Sequence, residues 1–103
     1  MRLRYTRPAL ADLDAILNYI SIHSPHGAAR IHGRIQAITQ LLLLHPHVGA
    51  RTDDPVIRRV AALPYPFLIF YEIAGNDIIV HAIRHGARNP STMPGASPDK
   101  DNK

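Results

Sequence analysis

The spacing of hydrophobic residues changes near the middle of this chain, and that change restricts the folds it can adopt. Up to residue 45 the apolar residues recur every three or four positions in two long stretches, which is the spacing of amphipathic helices. After residue 55 they form three short runs separated by turn-forming residues, which is the pattern of β-strands. Helices and strands in separate segments favour an α+β fold.

Capping residues bound the two helical stretches. Thr6 can cap the first helix, and Pro8 is tolerated in its first turn because the amide it lacks has no helical partner there. Ser24 and Pro25 place a capping residue before a proline at the first helical position of the second helix. This helix is expected to end at His45, since a residue before proline avoids helical dihedrals. The short connection predicts an antiparallel helical hairpin.

Four strands are expected, at residues 2–5, 56–63, 67–73 and 77–84. Residues 74–77, with the sequence Ala-Gly-Asn-Asp, are typical of a hairpin turn because Gly and Asn accept positive φ. The order β-α-α-β-β-β predicts a helical hairpin packed on one face of a four-stranded, largely antiparallel sheet. The other face is expected to stay open and to carry charge.

Strict alternation assigns the side chains of each strand to the two faces of the sheet. In the run from 56 to 63 it places Arg58 and Arg59 on opposite faces. In the last run one face receives Ile79, His81, Ile83 and His85, and the other receives Ile78, Val80, Ala82 and Arg84. The two histidines are thereby predicted to share a surface.

Length and composition fit one small domain. The chain has 103 residues, of which 46% are hydrophobic, so it has the composition of a folding sequence with one core. We expect a folded domain over residues 1–88 and a flexible tail over 89–103, where Pro, Ser, Gly, Asp and Lys predominate. There is no cysteine and no apolar segment long enough to span a bilayer. These features predict a soluble, cytoplasmic protein without disulfides.

The charge of the chain is carried by arginine. Twelve Lys and Arg residues stand against eight Asp and Glu, which gives a formal charge of +4 with the histidines neutral. The guanidinium group is a planar fork of donors suited to carboxylates and phosphates. An acidic or polyanionic partner is therefore expected.

An ordered set of motifs extends from Tyr5 to Arg88. It consists of Tyr5-Thr6 with Pro8-Ala9, Asp12-Leu13 and residues 16–20; Pro25 with Ala28-Ala29; Leu44, Pro46 and Gly49; Arg58-Arg59 with residues 65–67, 69–71 and 77–79; and residues 84–88, Arg-His-Gly-Ala-Arg. The set resembles the ParE/RelE superfamily of type II toxins, and the last motif is its most specific part. The resemblance implies a toxin that is neutralised by a cognate antitoxin, usually encoded next to it.

Two different activities are implied by this resemblance. ParE-like members inhibit DNA gyrase and so block replication, whereas RelE-like members cleave messenger RNA on the ribosome. RNA cleavage needs a base, an acid and cations on the scissile phosphate. Arg59 and Arg88 match two of the basic positions of RelE-like enzymes, but Ala61 and Leu68 occupy the other two, and no tyrosine follows Arg88. This departure favours gyrase inhibition by binding, with no enzymatic step.

The resemblance also implies which residues would act. The candidates for contact with the target or the antitoxin are Arg58, Arg59, Arg84, His85 and Arg88. For an mRNA endonuclease the candidate catalytic residues are Arg59, His81, His85 and Arg88, with a histidine as the base because arginine stays protonated. A degenerate toxin that only binds its antitoxin is a further alternative. In each case a hetero-oligomer of toxin and antitoxin is expected, with no membrane partner.

No cofactor and no metal site are predicted. The seven histidines have no recognised ligand spacing, since a helical i, i+4 pair with an adjacent Glu is absent. A basic nucleic-acid-binding module without toxicity is disfavoured, because the chain has only six aromatic residues and they are not interleaved with the basic ones.

Overall fold

The computed structural model describes residues 1–86, which form two helices and a five-stranded sheet. The elements are β1 (Arg2–Tyr5), α1 (Arg7–His23), α2 (Pro25–Leu44), β2 (Ala50–Arg51), β3 (Ile57–Ala61), β4 (Phe67–Ala74) and β5 (Asp77–His85). The strand order is β1-β5-β4-β3-β2, with β1 parallel to β5 and the other pairs antiparallel. The predicted α+β class, with a helical hairpin on a largely antiparallel sheet, is confirmed. The predicted tail at 89–103 and Arg88 lie outside the described residues.

Both predicted helix caps are present. The side-chain oxygen of Thr6 accepts a hydrogen bond from the amide of Ala9 at 3.2 Å, and that of Ser24 accepts one from the amide of Gly27 at 2.9 Å. Each bond satisfies an amide in the first turn that has no partner within the helix. At the other end, His45 caps α2 immediately before Pro46.

The four-strand prediction was wrong by one strand. Ala50 and Arg51 form a two-residue edge strand that pairs with Arg59 and Arg58 of β3, within a segment that was expected to be a loop. Two residues are too short for any periodic pattern to show in the sequence. The strand forms because hydrogen bonds with Arg58 and Tyr71 hold the preceding residues against the sheet.

A β-bulge in β5 overturns the strict alternation predicted for that strand. Val80 lies opposite Tyr71 of β4, but the next residue of β4, Phe70, lies opposite Ala82. His81 is therefore an extra residue, and the alternation shifts by one position after it. Ile83 consequently packs with Val80 in the helix-facing core, whereas Ala82 packs with Phe70 on the other side.

The main core lies between the helices and one face of the sheet. Buried residues of both layers form it, namely Ala9, Ile31, Ile35, Ile38, Leu42, Ala62, Phe67, Ile69, Tyr71, Ile78, Val80 and Ile83. The opposite side of the sheet is called here the second face. It carries a smaller cluster of Ile57, Phe70 and Ala82, with Leu68 packed against it. The second face is thus partly apolar, and charged side chains border this cluster.

Candidate partner-binding surface

The charged residue of β3 on the second face is Arg59. It lies directly opposite Phe70 of β4 and is exposed. Among residues 1–86 its side chain makes no hydrogen bond or ion pair. The neighbouring cross-strand pair joins Ala61 to Leu68, so an apolar strip adjoins this guanidinium. Arg59 is therefore available to an anionic group of another molecule.

Arg58 points to the other side of β3 and has internal partners. Its Nη1 atom donates hydrogen bonds to the carbonyl oxygens of Gly49 at 2.9 Å and His47 at 3.2 Å. These bonds hold the chain that leads into β2 against β3. Arg58 thus stabilises the fold, which separates it from Arg59 although both were predicted as contact residues.

Tyr71 holds residues 46–49, the segment that leads into β2, from the core side. Its hydroxyl donates a hydrogen bond to the carbonyl oxygen of Pro46 at 2.6 Å and accepts one from the amide of Gly49 at 3.0 Å. Burial raises the pKa of this phenol, while the bond from Gly49 and the charge of Arg58 act in the opposite direction. Burial also raises the pKa of Tyr5, next to Thr39.

Arg84 is tied to the first helix. Its Nη1 atom lies 2.9 Å from Oδ1 of Asp12, and Oδ2 of the same carboxylate accepts a hydrogen bond from the amide of Ile83 at 3.0 Å. The Nε atom of Arg84 is buried and has no hydrogen-bond partner within the described part of the chain. Asp12 therefore positions both the end of β5 and its arginine.

The two histidines of β5 lie in different surroundings. The Nε2 atom of His81 lies 2.7 Å from Oε1 of Glu72, a residue of the adjacent strand. The ring of His85 instead contacts Phe67 edge to face, with centroids 5.5 Å apart. Phe67 belongs to the helix-facing core, so the predicted shared histidine surface was wrong. The bulge at His81 causes the separation.

Sequence reasoning missed two carboxylates that organise this surface. Asp12 was identified only as part of the Asp12-Leu13 motif, with no role assigned to its carboxylate, and Glu72 was not singled out. A signal for the Asp12–Arg84 pair is absent from the local sequence, because 72 positions separate the two residues. Within residues 1–86 no group of three or more His, Cys, Asp or Glu side chains could hold a metal ion. No helix in this range is long and apolar enough to cross a membrane.

Comparison with known proteins identifies relatives along most of the chain. A family model described as the ParE toxin of a type II toxin–antitoxin system, parDE, matches residues 3–90. Toxin RelE2 of Caulobacter vibrioides is 36% identical over 84 residues, which are 82% of this chain and 93% of that protein. Putative toxin Y4kP of Sinorhizobium fredii is 31% identical over 84 residues, which are 82% of this chain and 86% of that protein.

A solved structure has the same fold. It is described as a chromosomal ParDE TA system from P. aeruginosa, and it matches this chain with a TM-score of 0.71 and 27% sequence identity. The match covers 82% of this chain and 95% of that chain. The likeness therefore extends over the helical hairpin and the sheet together.

Proposed function

Because the chain belongs to the ParE toxin family of type II toxin–antitoxin systems, we propose that it inhibits bacterial DNA gyrase by binding and that a cognate antitoxin neutralises it. The observation that carries the choice of gyrase is the pairing of Ala61 with Leu68 on the second face. These are the positions at which the resemblance to RelE-like enzymes calls for basic side chains. An apolar pair there supplies neither a proton donor nor a cation.

Cleavage of RNA would need more charge than this surface carries. A base must activate the 2′-hydroxyl, an acid must protonate the leaving oxygen, and cations must stabilise the phosphate. Arg59 can bind a phosphate but cannot act as a base, because its guanidinium stays protonated. His85 packs against Phe67 on the helix side and is not aligned with Arg59. The second face suits binding better than catalysis.

Neutralisation by an antitoxin is supported by the relatives and by charge. The structural match is described as a ParDE TA system, which names a toxin together with its antitoxin. The net charge of +4 favours an acidic partner through electrostatic complementarity. We propose a toxin–antitoxin hetero-oligomer in the cytoplasm, where gyrase is found.

An mRNA endonuclease is the second candidate, and the contact between His81 and Glu72 is the observation that favours it. A carboxylate bound to one ring nitrogen orients an imidazole for proton transfer. The relative named Toxin RelE2 is consistent with such an activity. In this alternative His81 removes a proton from the 2′-hydroxyl, whose oxygen attacks the phosphorus atom of a phosphate bound by Arg59. The P–O5′ bond breaks, and the leaving 5′-oxygen takes a proton from solvent.

Induction of the gene in growing cells tests the two functions in one experiment. Plasmid supercoiling and trapped gyrase–DNA complexes report on gyrase, and mapping of messenger RNA ends reports on cleavage. We expect loss of supercoiling or trapped complexes, no ribosome-dependent cuts, and full toxicity of His81→Ala. Ribosome-dependent cuts that disappear in His81→Ala would replace the proposal with the endonuclease. If growth continues normally and neither assay detects an effect, the protein is a degenerate toxin that only binds its antitoxin.

A further inference from the structure

The second helix carries only basic charges. No Asp or Glu lies between Asp14 and Asp53 in the sequence, so α2 contains no acidic residue. His26, Arg30 and Arg34 follow one another in α2 at intervals of four residues, and all three are exposed. Side chains at this interval lie next to one another along one side of a helix. These three residues are called here the basic row.

The charges of the basic row have no anionic partner in the described part of the chain. His26 and Arg30 make no hydrogen bond or ion pair within residues 1–86. The Nε atom of Arg34 donates a hydrogen bond to the carbonyl oxygen of Leu63 at 2.6 Å, which orients the guanidinium but leaves its charge unpaired. Like charges four residues apart weaken a helix slightly. The row is therefore suited to an anion of another molecule.

A shallow groove adjoins the two arginines of the row. Its volume is about 580 Å³, and it lies between α2 and the loop that joins β3 to β4. The lining residues are Arg30, Gly33, Arg34, Ala37, Leu63, Pro64 and Tyr65. A Cβ atom at Gly33 would meet no atom within 4 Å, so the space beside the two arginines is open. Glycine at such a place lets the backbone of a ligand approach closely.

The basic row and Arg59 lie on opposite sides of the molecule. The buried residues of α2, such as Ile31 and Ile35, pack on the helix-facing side of the sheet, whereas the basic row is exposed to solvent. Arg59 lies on the second face, beyond the sheet. The protein can therefore contact one molecule through the second face and another through α2 at the same time.

The arrangement of the row favours a nucleic acid backbone over an acidic protein. Arginine binds phosphates and carboxylates alike, so the spacing of the charges has to make the distinction. From His26 to Arg34 the row covers eight residues, or about 12 Å of helix. One strand of duplex DNA presents a phosphate per about 3.4 Å of its axis, so this length matches roughly three successive phosphates. Backbone contacts need no aromatic residues, which serve to stack unpaired bases.

We propose that the basic row of α2 binds the phosphate backbone of duplex DNA without reading its sequence. The inference rests on the proposed function, because a protein that inhibits gyrase meets a duplex in the same complex. The second face then remains available to gyrase, while α2 adds contacts to the DNA that gyrase holds.

Binding of the full-length protein to a short fluorescent DNA duplex, measured over a series of salt concentrations, tests the inference. Each phosphate contact contributes about −0.9 to the slope of log K against log salt concentration. Arg30→Gln should therefore make the slope shallower by about 0.9. Arg30→Lys should keep the original slope, because an ammonium group also neutralises a phosphate. Duplexes of different sequence should be affected equally.

Arg7→Gln is the matched control for Arg30→Gln. Arg7 is exposed and makes no hydrogen bond or ion pair within residues 1–86, so its loss changes the net charge by the same amount. It lies at the start of α1, which the helical hairpin places beside the end of α2 and away from the basic row. We expect this variant to keep the slope of the unmodified protein.

A second pair of variants tests the groove. Gly33→Glu adds a carboxylate beside the two arginines, whereas Gly33→Gln adds nearly the same volume without the charge. Both residues favour a helix more than glycine does, so the fold should be retained. We expect Gly33→Glu to bind the duplex more weakly than Gly33→Gln, with a smaller difference at high salt. Thermal unfolding of each variant checks the fold.

Failure of this inference differs from failure of the proposed function. If the protein traps gyrase–DNA complexes while Arg30→Gln and Gly33→Glu bind the duplex like the unmodified protein, the inference fails and the proposed function stands. If the protein binds the duplex through Arg30 but does not inhibit gyrase, the proposed function fails and the DNA-binding row stands.

Three further results would overturn the inference. The first is that the unmodified protein does not bind the duplex. The second is that Arg30→Gln weakens binding to gyrase when no DNA is present, which would make an acidic protein surface the partner of the row. The third is that an RNA duplex of the same sequence binds more tightly than the DNA duplex, which would make RNA the partner.

Discussion

Asp12 and Arg84 connect the first helix to the last strand through an ion pair of 2.9 Å. The carboxylate of Asp12 also accepts a hydrogen bond from the amide of Ile83. Asp12 therefore satisfies a backbone donor at the strand edge and holds the arginine beside it. Both side chains are mostly shielded, with 17% of Asp12 and 33% of Arg84 exposed. The pair is therefore less screened by solvent than an ordinary surface salt bridge.

Loss of the Asp12 carboxylate should destabilise the protein. Asp12→Ala leaves the amide of Ile83 and the guanidinium of Arg84 without their acceptor, and we expect a loss of about 1–3 kcal/mol in the free energy of unfolding. Asp14→Ala is the control, because Asp14 is exposed on the same helix and makes no hydrogen bond or ion pair within residues 1–86. Denaturant titration measures both. Equal stability of the two variants would contradict the role given to Asp12.

Arg58 and Arg59 should respond differently to the same substitution. Arg58→Ala removes the bonds to the carbonyl oxygens of His47 and Gly49 and should lower the unfolding midpoint. Arg59→Ala removes an exposed side chain without internal partners and should leave the midpoint nearly unchanged while reducing toxicity. Thermal unfolding and growth inhibition on induction separate the two effects. Full toxicity of a well-folded Arg59→Ala variant would remove Arg59 from the contact surface.

The buried phenol of Tyr71 should make stability depend on alkaline pH. Burial raises its pKa in the folded state above the ordinary value of 10.0, so folding favours the protonated phenol. The stabilisation by the protonated phenol of Tyr71 is fully present below the pKa that this phenol has in the unfolded chain. It is lost as the pH rises through the higher pKa of the folded state. Tyr71→Phe should cost about 1–3 kcal/mol at neutral pH, because the oxygen of Pro46 and the amide of Gly49 lose their partner.

The measurement for Tyr71 is the free energy of unfolding from about pH 8 to about pH 11, an interval that spans the ionisation of a phenol. The Phe variant should lose less stability over this interval than the unmodified protein. Tyr19→Phe is the control, since the Tyr19 side chain is 68% exposed, and it should retain the original pH profile. Parallel curves for Tyr71→Phe and the unmodified protein would contradict the prediction.

Position 49 has no room for a side chain, and therefore requires glycine. A Cβ atom at this position would lie 2.5 Å from the hydroxyl of Tyr71 and 2.9 Å from the carbonyl oxygen of Arg59. Gly49→Ala should therefore cost about 1–3 kcal/mol. Gly33→Ala is the matched control in α2, where no atom lies within 4 Å of the new Cβ, and it should stabilise the helix by about 0.5–1 kcal/mol. We expect the unfolding midpoint to fall in Gly49→Ala and to rise in Gly33→Ala, each relative to the unmodified protein.

Much of the fold could be predicted because its signals are local. The caps at Thr6 and Ser24, the end of α2 before Pro46 and the turn at Gly75 each depend on a few neighbouring residues. Gly75 adopts a φ of +58°, which glycine accepts without steric cost. The separation of Arg58 from Arg59 followed from the two-residue period of a strand. These features are encoded within single elements.

The candidate surface was predicted less well because its decisive contacts cross the fold. The residues of the Asp12–Arg84 pair are 72 positions apart, and Tyr71 and Gly49 are 22 apart. Neither contact leaves a trace in local composition. Arg59 is exposed on the second face, which leaves its predicted contact role open to test, whereas Arg58 and Arg84 have partners within the fold.

Capping, apolar spacing and charge act over short distances along the chain, so the helical hairpin and the three longer strands that follow it could be read from local residues. The pairing of β2, the position of the bulge in β5 and the exposure of Arg59 could not, because strand register and ion pairing depend on how residues from distant segments fit together in space. At His81, one extra residue in the strand pairing sends the two histidines of β5 to different sides of the sheet.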